Sequence, residues 1–190
     1  RRLTFGYGQP DGSGYPPQNN ERSARGMSMA DQIDGDLYRK VLGRYPTGVT
    51  LVTGCPDGEP AAIVIGSFVS VSMDPPLVGF LVGEDSSTWP RIESTGSFCV
   101  NVLSDQQDGL SNAFFRRDGD PWEETGWEPA PSGSPLIPAC LASIDCSIHE
   151  VVDAGDHVFV MGRIEHLSHV GEGSPLVFLG GRYGSFTEFG

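Results

Sequence analysis

Cys140-Leu141-Ala142-Ser143-Ile144-Asp145-Cys146-Ser147-Ile148-His149 carries the clearest periodicity of the chain: Cys140, Ala142, Ile144, Cys146 and Ile148 alternate with Leu141, Ser143, Asp145, Ser147 and His149. A period of two is that of a strand with one face on a core and the other toward water. Read outward from this stretch, the sequence repeats the theme. Val49 to Thr53, Ala61 to Ile65, Phe68 to Met73, Leu77 to Val82, Phe98 to Leu103, Asp156 to Ile164 and Leu176 to Leu179 are short runs rich in Val, Ile, Phe and Thr. Turn signals such as Pro56-Asp57-Gly58 separate them. Helical signals are few. Asp36 is placed to cap a helix whose Leu37, Tyr38, Val41 and Leu42 share a face, limited by Gly43 and Pro46. Thr88 to Thr95 and Gln106 to Phe115 read as short helices. The expected fold is mainly β with a few short helices, an antiparallel barrel closed or partly closed so that few strand edges stay open.

The 190 residues suffice for one such domain. Residues 1 to 32 are rich in Gly, Pro, Asn, Gln and Ser and bury too little apolar surface to offset their ordering entropy. They are read as a flexible N-terminal extension, with Met27 and Met29 as candidate natural starts and the domain at residues 33 to 190. Arg1-Arg2 has no apolar segment behind it, so an export signal is not expected and a cytoplasmic location is. Twelve Lys and Arg, Lys40 the only lysine, stand against 25 Asp and Glu, a net charge of −13. Such a field repels nucleic acid and anionic membranes, which drop out as default partners. No run of apolar residues is long enough to cross a bilayer. Cys55, Cys99, Cys140 and Cys146 have no metal-ligand spacing with the four histidines, so free buried thiols are expected and a metal site is not.

Three stretches combine small, hydroxyl and glycine residues beyond what strands require: Tyr45-Pro46-Thr47-Gly48-Val49-Thr50, then Gly66-Ser67-Phe68-Val69-Ser70-Val71-Ser72 leading into Met73-Asp74-Pro75-Pro76, and Asp85-Ser86-Ser87-Thr88-Trp89. Each offers backbone N–H groups and hydroxyls with little bulk. That suits a flat, polar-edged heterocycle with a phosphate tail, the phosphate lying at Ser86 and Ser87 before the Thr88 helix. Taken singly, each stretch also suits an ordinary strand or cap. No G-x-G-x-x-G or Walker motif is present, which leaves Rossmann and P-loop sites without support.

Pro46-Thr47-Gly48-Val49-Thr50, Ser67 to Val78, Ser86-Ser87-Thr88-Trp89, Phe98-Cys99-Val100-Asn101-Val102-Leu103, Ser134-Pro135 and Ala154-Gly155-Asp156-His157 occur in the order and approximate spacing of the short-chain flavin reductases. The chain resembles that family from about Leu37 to Tyr183. The resemblance implies a Greek-key split β-barrel, a homodimer that binds FMN, with FAD as the other candidate flavin, and takes NADH or NADPH as co-substrate. It implies an NAD(P)H:flavin oxidoreductase that supplies reduced flavin to a separate monooxygenase. A flavin-binding or carrier protein of the same fold without reductase activity is the alternative. Carried over by position, Thr47 and Gly48 approach the flavin, and Val64, Ile65, Gly66 and Ser67 line its ring. Ser70, Val71 and Ser72 continue that edge, Ser86, Ser87 and Thr88 hold the phosphate, and Asn101 belongs to the same cofactor set. His157, as the candidate catalytic residue, and Tyr183 lie toward the nicotinamide.

Two departures from the family pattern matter. Many relatives have Thr and Asn where this chain has Val64 and Gly66, which leaves the ring more dependent on backbone donors. Relatives often have Lys before the Ser-x-Ser/Thr turn, where this chain has Glu84-Asp85, so either an arginine such as Arg91 compensates or the phosphate sits elsewhere. The absence of a convincing Ser-His-Asp or carboxylate pair fits the implied chemistry, because hydride transfer between cofactors needs positioning rather than a protein nucleophile. Trp89, Trp122 and Trp127 read as packing residues. Arg116-Arg117 reads as a solvated helix end within reach of a pyridine-nucleotide phosphate.

Overall fold

In the computed structural model, which describes residues 33–116, 119–169 and 173–189, the elements begin with α1 (Gly35–Leu42), β1 (Thr47–Gly48), β2 (Thr50–Gly54), β3 (Ala61–Ile65), β4 (Val69–Met73), β5 (Pro76–Gly83), α2 (Trp89–Glu93) and β6 (Ser97–Val102). They continue through α3 (Asp108–Arg116), α4 (Pro121–Thr125), β7 (Glu128–Pro129), β8 (Pro135–Leu136), β9 (Ala142–Ala154), β10 (His157–His169), β11 (Leu176–Leu179) and β12 (Arg182–Ser185). The expected extension at residues 1 to 32 lies outside the described residues.

Seven of these strands form one antiparallel sheet in the order β3-β2-β6-β9-β10-β5-β4. The long β9–β10 hairpin turns at Gly155, whose φ of 82° favours a residue without Cβ. One core lies inside the curl of this sheet, where Val52, Ile65, Phe80, Phe98, Val100, Ile144, Cys146 and Val160 are buried together. The curl brings Ser67, two residues past β3, against β5. Ser67 Oγ accepts from Leu81 N at 2.9 Å and donates to Leu81 O at 3.1 Å. Among the described residues the backbone ladder stays open between β3 and β5, so the expectation of antiparallel, mainly β structure holds while no closed barrel forms.

A second core lies on the outer face of β2, β3 and β6, where Val49, Leu51, Leu103, Ile137, Cys140 and Leu176 are buried. Phe114, Trp122 and Tyr183 pack against it, and the small sheet β1-β11-β12 lies on the same side. All five residues of β2 are buried because the strand separates the two cores. Asn101 of β6 is fully buried there. Its Nδ2 lies 3.2 Å from Pro135 O and Thr53 Oγ1 and 3.3 Å from Leu51 O, and its Oδ1 accepts from Ile137 N at 2.9 Å. One amide thus fastens the chain around Pro135 to the sheet.

Several details differ from the sequence expectation. Asp34, not Asp36, caps α1: Asp34 is extended at φ −61° and ψ 121°, and its Oδ1 accepts from Asp36 N, while Asp36 sits in the first turn and pairs with Arg39 at 2.9 Å. Cys140 precedes β9. The polar face of β9 is solvated only from His149 onward, because Ser143 and Asp145 are buried and Ser147 is half-buried. Asp145 accepts from Ser132 N at 3.0 Å and from Ser132 Oγ at 2.6 Å, so the loop carrying Ser132 covers that face and satisfies its charge. The four cysteines are free thiols. Leu37, Tyr38, Val41 and Leu42 of α1, and Val69, Val71 and Met73 of the edge strand β4, leave apolar surface exposed. Among the described residues no helix is long and apolar enough to cross a membrane, and no cluster of metal-ligating side chains occurs.

Candidate functional site

The site begins with β3, whose residues point alternately to the two cores. Ala61, Ile63 and Ile65 face the inner one, while Ala62 and Val64 face the outer side together with Leu110, Phe114 and Tyr183. Two cavities open along that outer side. The first, about 620 Å³, is lined by Thr47, Val64 and Gly66 from the strands, Asn112, Phe115 and Arg116 from α3, and Phe178, Gly181 and Tyr183 from the C-terminal hairpin. The second, about 460 Å³, is lined by Ala61, Ala62, Ser87, Thr88, Arg91, Phe114 and Trp122 among others. At roughly 3.3 Å per residue, the step from Ala62 to Gly66 covers about 13 Å.

Backbone economy shapes the first cavity. A Cβ on Gly66 would lie 3.0 Å from Thr47 Oγ1, so glycine lets β1 and the end of β3 come together. A Cβ on Gly48 would meet no atom within 4 Å, which means the backbone there borders open space. Tyr183 forms the opposite wall. Its hydroxyl lies 2.9 Å from Ser111 Oγ, and its ring meets Phe178 edge-on at 5.4 Å between centroids. The tyrosine is therefore held by both α3 and β11.

The second cavity owes its position to α2. Trp89 and Ile92 are buried, the Trp89 ring meeting Phe80 edge-on at 5.6 Å. A Cβ on Gly54 would strike Ile92 Cγ2 at 2.9 Å, so the helix lies directly on β2. This packing sets Thr88 and Arg91 beside the small side chains of Ala61 and Ala62. Phe114 and Trp122, edge-on at 4.9 Å, close the far side.

The expected site residues divide accordingly. Thr47, Val64, Gly66 and Tyr183 meet in the first cavity, Gly48 is absent from its lining, and Ser87 and Thr88 reach the second. Ser86 turns away: its Oγ accepts from Trp89 N at 3.1 Å and it lines a different hollow with Gly83, Glu84 and Val158. Ile65 is buried in the inner core and its carbonyl accepts from Thr50 Oγ1. Ser67 is committed to Leu81, and Asn101 to the outer core. Ser70 and Ser72 lie on another hollow with Ile164, His166 and Leu167, and Val71 is exposed at the register shift between them. His157 stands opposite Gly83 at the start of β10, half exposed, and lines neither of the two cavities. Its Nδ1 lies 2.7 Å from Asp156 Oδ1, and this hydrogen bond, reinforced by the charge of the ring when protonated, holds the Asp156 carboxyl below its usual range.

Asn112, Phe115 and Phe178 are wall residues that the sequence reading missed. Nothing in a short amphipathic helix or a four-residue strand marks them as more than packing residues.

The flavin reductase like domain family matches residues 42–187 of the chain. A flavin reductase of Pseudomonas putida is 47% identical over 156 residues, which cover 82% of this chain and 92% of that protein. HsaB of Rhodococcus jostii, the reductase subunit of a flavin-dependent monooxygenase, is 41% identical over 164 residues, covering 86% of this chain and 84% of its own. The structure of an NADH:FAD oxidoreductase of Streptomyces globisporus, in complex with NAD and FAD fragments, superimposes with a TM-score of 0.76 at 32% identity, covering 86% of this chain and 98% of that one.

Proposed function

The chain belongs to the flavin reductase like family, and from that premise we propose that it is an NAD(P)H:flavin oxidoreductase that supplies reduced FMN or FAD to a separate monooxygenase component. The observation that carries the reading is the first cavity. It is a mostly apolar recess bordered by Thr47 and by bare backbone at Gly66 and closed by a fixed tyrosine, and a flat ring system fits such a place. A flavin and a nicotinamide held there would supply the hydride-transfer chemistry themselves.

The protein's part is to bind, orient and exclude water. Thr47 and Gly48 present backbone to one edge of the ring, and Gly66 keeps β1 and β3 close enough to form that edge. Tyr183, braced by Ser111, limits how far a second ring can slide, and Arg116 places positive charge at the same cavity. Holding two reactants in register supplies roughly 7–11 kcal/mol of a barrier where the alignment is good. His157 is assigned to the nicotinamide side, as a hydrogen-bonding group whose ring orientation Asp156 fixes.

The proposal includes a Greek-key split barrel, supported by the Ser67 bridge across the open seam. It includes a cytoplasmic location and a homodimer, the dimer supported by the apolar surface exposed on α1 and β4. Size-exclusion chromatography with light scattering giving a monomer at working concentration would remove the dimer.

The test is NADH and NADPH oxidation followed at the nicotinamide absorbance, with FMN, FAD and riboflavin added separately to the protein under air. Oxidation that depends on added flavin is the expected result and ranks flavins and nicotinamides together. Flavin binding without NAD(P)H oxidation would refute the reductase and leave a carrier. In the same assay His157→Ala is expected to lower turnover, and unchanged kinetics would withdraw that assignment.

A further inference from the structure

We infer that Asn112 of α3 is the residue that recognises the carboxamide of the nicotinamide co-substrate, its side-chain amide giving one hydrogen bond to that group and accepting another from it. The inference rests on the reductase reading of the first cavity and adds which wall reads the second ring.

The polar side chains in the lining of that cavity are Thr47, Asn112, Arg116 and Tyr183. Tyr183 is occupied, its hydroxyl 2.9 Å from Ser111 Oγ. Thr47 Oγ1 lies where Gly66 lets β1 meet the end of β3, 3.0 Å from the place a Cβ would take. Arg116 donates and cannot accept. Val64 and Gly66, on the strand wall, carry no side-chain donor. Asn112 alone presents a donor and an acceptor on one planar group. Among the described residues its amide has no hydrogen-bond partner, and no buried side-chain polar atom of those residues lacks one, so the amide stays within reach of a ligand where it lines the cavity.

The register of α3 puts it there. Leu110, Ser111 and Phe114 turn toward the outer core and Tyr183, while Asn112, Phe115 and Arg116, three and four residues apart, share the face that lines the cavity. Along that face the helix passes from half-buried Asn112 to exposed Phe115 and Arg116, a rise of about 5 Å. A nicotinamide nucleotide entering ring-first brings its neutral carboxamide to the neutral amide and keeps its phosphates nearer the guanidinium and water. The strand wall at Thr47 and Gly66 is assigned to the flavin edge, whereas Asn112 stands next to Ser111, the brace of the tyrosine that limits the second ring. Two hydrogen bonds to the carboxamide also stop the ring from turning about the bond to its sugar, which fixes the face that its C4 presents.

The experiment titrates NAD+ and its 3-acetylpyridine analogue, which has a methyl group in place of the carboxamide NH2, into the FMN-loaded parent, Asn112→Ala and Asn112→Asp by calorimetry. KM and kcat for the two reduced forms give a second readout. The Asn112 side chain bonds to no described residue, so the variants are expected to keep the parental melting temperature, which is measured first. The parent is expected to bind NAD+ more tightly than the analogue. Asn112→Ala should weaken NAD+ about tenfold and the analogue less, shrinking the ratio about threefold, because NAD+ loses two hydrogen bonds and the analogue one. Asn112→Asp keeps an acceptor for the NH2 but gives nothing to the carbonyl, so there the ratio should rise above the parent's. FMN affinity is expected to stay parental in both. A ratio unchanged in both variants overturns the inference and leaves the reductase reading intact, and so does a parent that binds NAD+ and the analogue equally. Lost FMN affinity with an unchanged ratio also overturns it, placing the amide at the flavin instead. A parent that neither binds flavin nor oxidises NADH or NADPH overturns the reductase reading itself, and the inference with it.

Discussion

Replacing Asn101 separates two roles that its motif does not distinguish. In the fold its amide is fully buried and bonded to the protein on every side: Oδ1 to Ile137 N at 2.9 Å, Nδ2 to the carbonyls of Pro135 and Leu51 and to Thr53 Oγ1. Asn101→Ala removes all four contacts. Pro135 O keeps the Thr53 hydroxyl at 2.6 Å, so the main casualty is the Ile137 N–H, a buried donor left without its acceptor. That loss costs roughly 1–3 kcal/mol. The small void left by the amide adds about 1 kcal/mol, giving about 3 kcal/mol in all. For a domain of this size each kcal/mol lowers Tm by about 2–4 °C, so the expected fall is about 6–12 °C. Asn101→Asp keeps an acceptor for Ile137 but turns a carboxylate oxygen toward the Pro135 and Leu51 carbonyls, and it too is expected to destabilise. Circular dichroism melts and urea midpoints give the stability, and FMN titration of the folded protein gives the affinity. A Tm within 2 °C of the parent combined with lost FMN binding would refute this account and make Asn101 a flavin ligand.

Three further outcomes follow from the same geometry. Gly48→Val is expected to melt close to the parent yet weaken FMN binding at least tenfold, because its side chain enters open space beside Thr47 and not the core; parental affinity would withdraw the assignment of Gly48 to the edge of the flavin. Gly162→Ala places a Cβ 2.3 Å from Phe98 Cζ and 3.0 Å from Cys146 Cβ, both in the inner core, and should cost about 1–3 kcal/mol in urea unfolding; the same change at Gly109, with no atom within 4 Å, serves as the neutral control. Burial pushes the Cys140 and Cys146 thiols up to about 12 and Cys99 further in the same direction. Above pH 9 the unfolded chain therefore releases protons that the folded chain keeps, and stability should fall by up to about 1.4 kcal/mol per pH unit for each thiol. Urea midpoints measured under reductant that stay flat between pH 8.5 and 10 would contradict this.

The β content was legible because strands announce themselves locally: the alternation at residues 140 to 148 and the Val- and Ile-rich runs lie within the elements found or within a residue or two of them. Legibility failed where a decision belonged to distant parts of the chain. Asp145 reads as solvated because it alternates with Ile144 and Cys146 and shares its face with Ser143 and Ser147, yet the loop carrying Ser132 covers it. Strands of two residues such as β1, and four-residue β12, carry too few side chains for a period to register. At the site, the motif positions Thr47, Val64, Gly66 and Tyr183 converge on one cavity, but serines of similar appearance do different work. Ser67 closes a seam and Ser86 caps a helix, while Ser87 faces the groove. Hydroxyl identity was visible in the sequence; the direction each one points depends on register and bulges.

The pairing of β1 with β11, and of β11 with β12, has a consequence for biosynthesis. Thr47 and Val64 emerge early from the ribosome, but their cavity lacks a wall until Phe178 and Tyr183 have followed, the latter 72 residues after its partner Ser111. A nascent chain can fold the inner core and still be unable to retain flavin. On the proposed reading, capture of the cofactor reports synthesis as far as Tyr183, and flavin added to lysates should protect from proteolysis only chains that extend past that residue, as ligand linkage requires.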